Sequence, residues 1–223
     1  MNCCENCPRG QLIVISGPSG VGKGTVVSLI LETYNGFSRS KSLTTRPRRD
    51  RDPNDEKYEF CDRDTFNKRF EEGDILERTE YGGNYYGTIR SELEKGVEEG
   101  KNILMEIDVN GALQIKRLYP HAILICLLPD KFSDLITRLR TRGTEDPENM
   151  KIRLDEAKKE ITYFHEFDYV VVNSSGKAAK AAEEIVGIVH ADSLRTARHN
   201  EFYKELLDSL NSEGSGCPDA NDN

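Results

Sequence analysis

Apolar runs alternate with helical patterns along most of the chain. Four runs are typical of strands buried on both faces: 11–16, 102–108, 122–128 and 169–173. Stretches of helical length and spacing lie between them, at about 22–33, 90–99, 110–118, 131–141 and 178–189. This alternation predicts an α/β fold in which helices cover both faces of a parallel sheet. Ligands of such sheets bind beyond the carboxyl ends of the strands.

An apolar stripe predicts one further helix. Its members lie three or four residues apart, as on one face of a helix: Met150, Leu154, Ala157, Ile161 and Phe164. Asp146 and Pro147 come just before the stripe and suit the first positions of a helix. Together with the helix at 131–141, this segment is expected to form a lid over about 130–155.

The segment between residues 38 and 90 has a different pattern. Short stretches predict strands at 37–45, 57–60 and 75–81. Gly82, Gly83 and Asn84 predict the turn of a hairpin whose second strand is 85–88. Short strands joined by turns indicate a small lobe inserted into the larger fold.

The pattern therefore divides the chain into several parts. The predicted parts are a disordered leader (1–9), a core (10–37 and 91–190), an inserted lobe (38–90) and a C-terminal extension (191–223). The extension is expected to contain a helix at 199–210. Beyond it, the Gly, Ser, Asn, Asp and Pro content predicts a disordered tail.

A glycine-rich segment joins the first apolar run to the helix after it. Glycines allow successive N–H groups to turn toward an anion, and a helix N-terminus adds unsatisfied donors and a positive dipole end. Lys23 then places an ammonium group against the outer phosphates of a nucleotide. The strand, loop and helix predict a phosphate-binding loop for ATP. Its residues are Gly17, Pro18, Ser19, Gly20, Val21, Gly22, Lys23, Gly24 and Thr25.

Three groups of arginines accompany this loop. Arg46 and Arg49 lie in the predicted lobe, Arg138 and Arg142 lie four residues apart on one helix, and Arg153 follows on the next. A single arginine is more often part of a solvated surface. Several guanidinium groups, however, suit a reaction that brings ATP to a second phosphorylated substrate.

Charge and composition limit the possible partners. The 223 residues include 31 basic and 39 acidic side chains, a net charge of −8, which argues against non-specific nucleic-acid binding. No apolar run approaches the ~20 residues of a membrane helix. The first residues also lack the basic and apolar regions of a secretory signal. A cytoplasmic protein without nucleic-acid or membrane partners is expected.

The six cysteines do not form a recognisable zinc motif. Cys3, Cys4 and Cys7 include a CxxC spacing, but a zinc site needs about four ligands, usually as two pairs. The remaining cysteines, Cys61, Cys126 and Cys217, provide no second pair. Free thiols in a reducing compartment are expected.

Several segments, in order along the chain, resemble those of guanylate kinases. Residues 42–49 (Ser-Leu-Thr-Thr-Arg-Pro-Arg-Arg), with Tyr58 nine residues later, resemble the monophosphate-binding segment of that family. Glu77, with Tyr86 nine residues later, resembles its guanine-binding hairpin. Residues 107–111 and 138–145 are also similar, and the resemblance covers about residues 11–190. It implies a P-loop kinase core with an inserted GMP-binding lobe and a helical lid.

The resemblance also implies roles for individual residues. The residues expected to contact guanine are Ser42, Glu77, Thr88 and Asp108. Those expected to hold the GMP phosphate are Arg46, Arg49, Tyr58 and Tyr86. Those expected around the transferring phosphoryl group are Lys23, Arg46, Arg138, Arg142 and Arg153, and Asn173 is expected at the adenine. Tyr58 and Tyr86 also fit simple packing within the lobe, and Asp108 also fits a cap for the following helix.

Two positions depart from the family pattern. Gly24 stands where most members have the Ser or Thr that ligates magnesium, although a Gly-Thr pair resembles adenylate kinases. The direct protein ligand of Mg²⁺ is therefore left open. The ion is expected to be held by phosphates and water, with Glu106 or Asp108 behind the water. Pro47 follows Arg46 directly, while the Arg-x-x-Arg spacing to Arg49 is kept.

The expected function is Mg²⁺-dependent transfer of a phosphoryl group from ATP to GMP or dGMP. Another nucleoside monophosphate kinase is an alternative, but adenine offers Glu77 no paired donors. A non-catalytic module that binds phosphopeptides is a second alternative, which the intact loop from Gly17 to Lys23 disfavours. A GTPase is disfavoured because no Asn-Lys-x-Asp segment follows the core strands. The pattern leaves monomer or homodimer open.

Overall fold

The computed structural model describes residues 10–48, 53–141 and 147–214. The strands are β1 (Leu12–Ser16), β2 (Phe37–Arg39), β3 (Ser42–Thr44), β4 (Tyr58–Phe60), β5 (Thr79–Tyr81), β6 (Asn84–Thr88), β7 (Asn102–Glu106), β8 (Ile123–Leu128) and β9 (Tyr169–Val172). The helices are α1 (Lys23–Thr33), α2 (Arg63–Glu71), α3 (Arg90–Glu98), α4 (Val109–Leu118), α5 (Phe132–Thr141), α6 (Pro147–Thr162), α7 (Ala178–Ser193) and α8 (Asn200–Gly214).

A five-stranded parallel sheet forms the centre of the molecule, in the order β2-β7-β1-β8-β9. Every residue of β1 is buried, because the sheet is covered on both sides. One face packs against α1, α5, α6 and α7, and the other packs against α3 and α4. The predicted α/β fold with a parallel sheet is confirmed, and the four long apolar runs are its inner strands and one edge.

A second sheet of four strands, in the order β4-β3-β6-β5, lies within the inserted segment. Its small core consists of Leu43, Phe66, Ile75 and Ile89. The predicted hairpin is present: Gly82 and Gly83 have φ angles of 56° and 72°, which a two-residue turn between twisted strands requires. Only Thr79–Tyr81 of the predicted strand at 75–81 is a strand, while Ile75 makes an isolated bridge to Ile89.

The prediction of one strand over 37–45 is wrong, because this stretch changes sheets. Phe37–Arg39 pairs with β7 of the central sheet, whereas Ser42–Thr44 pairs with β4 and β6 of the second sheet. The Ser40 amide donates to Leu104 of the core, and the Lys41 carbonyl accepts from Ile89 of the second sheet. The chain therefore crosses from core to lobe between these two residues.

The last helices run longer or shorter than their patterns predict. Helix α6 ends at Thr162, so Phe164 falls in the following 3-10 turn and is exposed. Met150, Leu154 and Ala157 of the predicted stripe do pack on the core. Helices α7 and α8 both extend beyond their predicted ends. The predicted leader and the end of the tail lie outside the described residues, and no described helix is long and apolar enough to span a bilayer.

Candidate active site

Glycine determines the shape of the loop between β1 and α1. Gly17, Gly20 and Gly22 have φ angles of 137°, 85° and 99°, in the region that favours glycine. A Cβ atom on Gly17 would lie 2.1 Å from the carbonyl oxygen of Leu127, so the backbone of β8 closes that space. The loop ends directly at the N-terminus of α1, where unsatisfied N–H groups are available to an anion.

Lys23 begins α1 and folds back over the loop. Its Nζ donates to the carbonyl oxygens of Gly17 at 2.5 Å and Pro18 at 3.3 Å. Burial lowers the pKa of the Lys23 ammonium, against the opposing effect of Glu160 and Glu106. The ammonium group is thus held at the loop, and its contact with the outer phosphates stays a prediction. Thr25, two residues on, is exposed.

Arg138 and Asn173 brace the loop from behind. Arg138 donates from Nη1 to the Val21 carbonyl and from Nη2 to the Asn173 carbonyl, both at 2.8 Å. The Asn173 amide also donates to the Val21 carbonyl at 2.8 Å, and its Nδ2 lies 2.7 Å from where a Gly22 Cβ would be. Asn173 Oδ1 is buried without a partner among the described residues. Both side chains therefore hold the Val21 carbonyl of the loop in place.

Glu160 is a site residue that the sequence analysis missed. It lies on α6, and its Oε2 accepts a hydrogen bond from the Ser19 amide of the loop at 3.2 Å. Burial raises the pKa of the Glu160 carboxyl, and Lys23 acts in the opposite direction. The signal was present in the pattern, because position 160 lies three residues after the buried Ala157 and so faces inward.

Glu77 is the most deeply buried carboxylate among the described residues of the inserted lobe, with 2% of its surface exposed. Its Oε1 accepts from the Thr88 amide at 3.1 Å and from the Thr88 hydroxyl at 2.9 Å. Its Oε2 is buried and has no partner among the described residues. Burial raises the pKa of Glu77 to about 7, although the bonds from Thr88 lower it. This carboxylate can accept further hydrogen bonds in an enclosed space.

The other predicted guanine contacts surround Glu77. Ser42 lies opposite Thr88 in the register of β3 and β6. Asp108 caps α4 by accepting from the Gly111 amide at 2.7 Å, so its expected capping role is present. A Cβ atom on Gly111 would lie 3.4 Å from both Asp108 Oδ1 and Glu77 Cγ. Asp108 of the core and Glu77 of the lobe therefore lie close to each other beside Gly111.

The three predicted phosphate ligands of the lobe that the structure describes form an aromatic and basic cluster. The rings of Tyr58 and Tyr86 lie 5.9 Å apart, and the Arg46 guanidinium lies 5.4 Å from the Tyr58 ring centre. Arg46 also donates to Asp55 at 2.5 Å, a contact that the sequence did not predict. Burial would lower the pKa of Arg46, but the hydrogen bond to Asp55 raises it. Burial and the nearby Glu106 raise the pKa of Tyr58 to about 12.

The space beside Gly24 is filled by a carboxylate rather than a hydroxyl. A Cβ atom at this position would lie 3.2 Å from Glu106 Oε1, and Lys57 Nζ lies 3.1 Å from Glu106 Oε2. Oxygen donors suit Mg²⁺. The described residues contain no group of three acidic, His or Cys side chains able to hold a metal. This donor set fits an ion that brings most of its ligands as phosphate oxygens and water.

Of the remaining predicted arginines, the structure describes Arg153. Arg153 of α6 donates from Nε to the Tyr81 hydroxyl at 2.7 Å, so it contacts the β5–β6 hairpin. Arg49 and Arg142 lie outside the described residues. Helix α6 therefore touches both the phosphate-binding loop, through Glu160, and the lobe, through Arg153.

Comparisons with known proteins agree over most of the chain. The family model described as guanylate kinase matches residues 9–188. Guanylate kinase of Lactococcus lactis is 43% identical over 202 residues, covering 91% of this chain and 98% of the relative. Guanylate kinase of Clostridium perfringens is 40% identical over 213 residues, covering 96% of each. The crystal structure of guanylate kinase from Anaplasma phagocytophilum superposes with a TM-score of 0.73 at 31% identity, covering 91% and 95% of the two chains.

Proposed function

The chain belongs to the guanylate kinase family, and on that premise we propose that it transfers the γ-phosphoryl group of ATP to GMP or dGMP. The products are ADP and GDP or dGDP, and the reaction depends on Mg²⁺. The chain is thereby an ATP:GMP phosphotransferase, a nucleoside monophosphate kinase. We place it in the cytoplasm with small-molecule substrates only, as monomer or homodimer.

The observation that carries this proposal is the free oxygen of Glu77. Oε2 is buried in the lobe without a partner among the described residues, while Oε1 is held by Thr88. Guanine carries a ring N–H and an exocyclic amine side by side, two donors that one carboxylate accepts together. Ser42, Thr88 and Asp108 are proposed to complete the contacts with the base. Such matching of polar groups supports guanine as the base of the acceptor nucleotide.

The transfer needs positioning and charge neutralisation rather than a general base. The acceptor phosphate has a second pKa near ~6, so it is already an oxyanion at neutral pH. Two anionic substrates must therefore be brought together in line. Arg46, Tyr58 and Tyr86 are proposed to hold the GMP phosphate, with Arg49. Lys23 and the loop amides are proposed to hold the ATP phosphates, with Arg142 and Arg153 completing the site on closure.

Arg138 and Asn173 are given a supporting role beside their proposed substrate contacts. Both fix the Val21 carbonyl, which keeps the neighbouring loop N–H groups directed toward phosphate. Asn173 Oδ1 remains available to accept a hydrogen bond from the adenine amine. Bound Mg²⁺ would supply charge neutralisation at the phosphates, and Glu106 or Asp108 would hold it through water.

We propose that the lobe at 38–90 and the lid at about 130–155 move against the core, 10–37 and 91–190. Closure would exclude the water that otherwise hydrolyses ATP. The Arg153 Nε donates to the Tyr81 hydroxyl at 2.7 Å, so the proposed lid and the proposed lobe already touch at this point. This contact supports the proposal that the two close together.

The direct test is a coupled assay of ADP release with GMP, dGMP, AMP, UMP and dTMP as acceptors. Release with GMP or dGMP well above the rate with the other three is the expected result. Preference for another nucleotide would identify a different nucleoside monophosphate kinase. No release with any acceptor, from protein that binds GMP, would identify a non-catalytic binding module.

Replacing Arg153 with lysine should lower kcat by at least about tenfold and change the KM of both substrates little. Lysine keeps the charge but loses the planar fork that contacts two phosphate oxygens. Steady-state kinetics with ATP and GMP measure this. Tyr81→Phe is the matched control, since it removes only the hydroxyl that Arg153 contacts. An equal fall in kcat in both variants, or a KM rise at unchanged kcat, would contradict a role on the transferring group.

Replacing Glu160 with glutamine should tighten ADP binding by about tenfold, or about 1.4 kcal/mol. The Glu160 carboxylate accepts from the Ser19 amide, and a phosphate near the same loop meets its negative charge. Glutamine keeps an oxygen for that amide and removes the charge. Calorimetric titration with ADP gives the dissociation constants of the unaltered protein and of the variant.

The pH dependence of the same comparison has a definite sign. Because the pKa of Glu160 is raised, the carboxyl gains its charge over a higher pH range than usual. ADP binding to the unaltered protein should weaken relative to the variant as pH rises through that range. The ratio of the two constants cancels the titration of ADP itself. Glu183→Gln, an exposed change of the same charge on α7, should leave ADP binding unaltered.

A further inference from the structure

Lys57 connects the lobe to the core at the centre of the site. It ends the 3-10 turn Pro53–Lys57, just before β4 of the second sheet, while Glu106 ends β7 of the central sheet. Their Nζ and Oε2 atoms lie 3.1 Å apart, with 15% and 18% of the side chains exposed. A pair this enclosed is not a loose surface contact, because losing either partner would leave a charge in a poorly solvated place.

The other oxygen of Glu106 faces the phosphate-binding loop. Oε1 lies 3.2 Å from where a Gly24 Cβ would be, at the first turn of α1. Lys23, the first residue of that helix, feels the charge of the same carboxylate. Since Gly24 has no hydroxyl, Glu106 is the oxygen donor that the protein offers at this position. A hydrated divalent ion on the ATP phosphates would meet it here.

Lys57 also borders the proposed GMP phosphate site. Its ammonium lies 5.3 Å from the centre of the Tyr58 ring, and the Arg46 guanidinium lies 5.4 Å from the same centre. Two cations therefore flank one aromatic ring. The four-carbon stem of lysine is flexible, so the ammonium could turn from the carboxylate toward a phosphate bound beside Tyr58.

We propose that Lys57 is a further phosphate-binding residue of the reaction, held by Glu106 until a divalent ion takes that carboxylate. The ion bears two charges and competes with the ammonium for Glu106. The released ammonium then lies beside the incoming dianion of GMP. Binding of the metal nucleotide on one side would thus create a positive charge on the other. This inference rests on the proposed function.

The first test measures ADP affinity with Mn²⁺ and with EDTA, without turnover. If Lys57 competes with the ion, Lys57→Met should increase the ratio of the ADP affinity with Mn²⁺ to the ADP affinity with EDTA by about tenfold. In a Glu106→Gln background the same substitution should have no effect, because the shared ligand is gone. The double variant also leaves no unpaired charge, so it guards against loss of folding in the single variant.

The second test measures GMP affinity in the presence and absence of MgADP. Lys57→Met should weaken GMP binding by about tenfold with MgADP present, since the lysine is then free to contact phosphate. Without MgADP the change should be small, because Lys57 is still held by Glu106. Lys57→Arg should restore most of the affinity. Lys101→Met, an exposed lysine paired with Glu99, is the control and should change neither constant.

Several outcomes would overturn the inference. An unchanged or reduced metal preference in Lys57→Met would show no competition for Glu106. An equal loss of GMP affinity with and without MgADP would show no exchange of partners. If the unaltered protein phosphorylates GMP while Lys57→Met binds both ligands normally, only this inference fails. If the unaltered protein neither binds nor phosphorylates GMP, the proposed function fails as well.

Discussion

Replacing Glu77 with glutamine should reduce kcat/KM for GMP by roughly 10⁴-fold, while the low activity with AMP changes little or rises. The buried carboxylate of Glu77 leaves Oε2 to accept hydrogen bonds from the neighbouring donors of guanine. Glutamine has the same shape but puts an amide NH₂ group in place of one oxygen, so a donor of the base then faces a donor of the protein. Kinetics with GMP and AMP for both proteins measure the change.

The structure makes this prediction sharper than the spacing of Glu77 and Tyr86 alone. Oε1 is already occupied by two hydrogen bonds from Thr88, whereas Oε2 has no partner among the described residues. The bonds from Thr88 fix the orientation of the carboxylate before the base arrives. If the bound base has no donor for Oε2, this oxygen stays buried without a hydrogen bond, which costs binding free energy.

The pKa of Glu77 gives the same site a pH dependence. With a pKa of about 7, raised from 4.5 by burial, the carboxyl is protonated below neutral pH and ionised above it. Guanine donors need the ionised form, so GMP affinity should fall as pH drops below about 7. Titration of GMP binding to the unaltered protein and to Glu77→Gln between pH 5.5 and 8.5 tests this. The ratio of the two dissociation constants cancels the titration of the GMP phosphate itself and should change as pH passes about 7.

The stability of the fold should change with pH in the direction opposite to the GMP affinity. A group whose pKa is raised on folding stabilises the fold below its unfolded value of 4.5 and loses that contribution as pH rises through about 7. The shift corresponds to about 3 kcal/mol. Glu77→Gln should therefore be at least as stable as the unaltered protein at pH 8, as measured by denaturant unfolding. If this well-folded variant keeps the same ratio of kcat/KM for GMP to kcat/KM for AMP, other residues recognise the base.

Replacing Lys23 with alanine should lower kcat by at least ~10²-fold, the scale of losing one preorganised electrostatic contact. The Lys23 ammonium lies over the loop, bound to the Gly17 and Pro18 carbonyls. Both carbonyls belong to a loop whose shape is set by the backbone angles of its glycines and by the hydrogen bonds from Arg138 and Asn173 to the Val21 carbonyl. The fold should therefore survive the change.

Thermal unfolding and kcat measured on the same preparation separate the two effects. Lys180→Ala, an exposed lysine on α7 paired with Glu184, is the matched control and should keep both values. If Lys23→Ala instead unfolds at a much lower temperature and keeps its kcat, Lys23 is a structural residue and the proposed role is wrong.

Local patterns were enough to predict the frame of the site. Uninterrupted apolar runs predicted the strands of the central sheet, because strands covered on both faces need no polar alternation. The glycine-rich loop was predicted because its backbone angles and its place before a helix are local properties. The hairpin at Gly82 and Gly83 was predicted for the same reason. Family motifs then gave the expected role of Glu77 and the arginines.

Tertiary structure decided which groups meet. The stretch at 37–45 has a continuous strand pattern, yet its two halves pair with different sheets, since pairing partners rather than propensity fix a strand. The Arg46–Asp55 pair, the Arg138 contacts behind the loop and the Glu160 contact with Ser19 also arise only on folding. The last of these joins residues 141 positions apart, and Lys57 meets Glu106 across 49 positions. Periodicity reports which face a side chain occupies, but the partner it finds there depends on how distant elements pack.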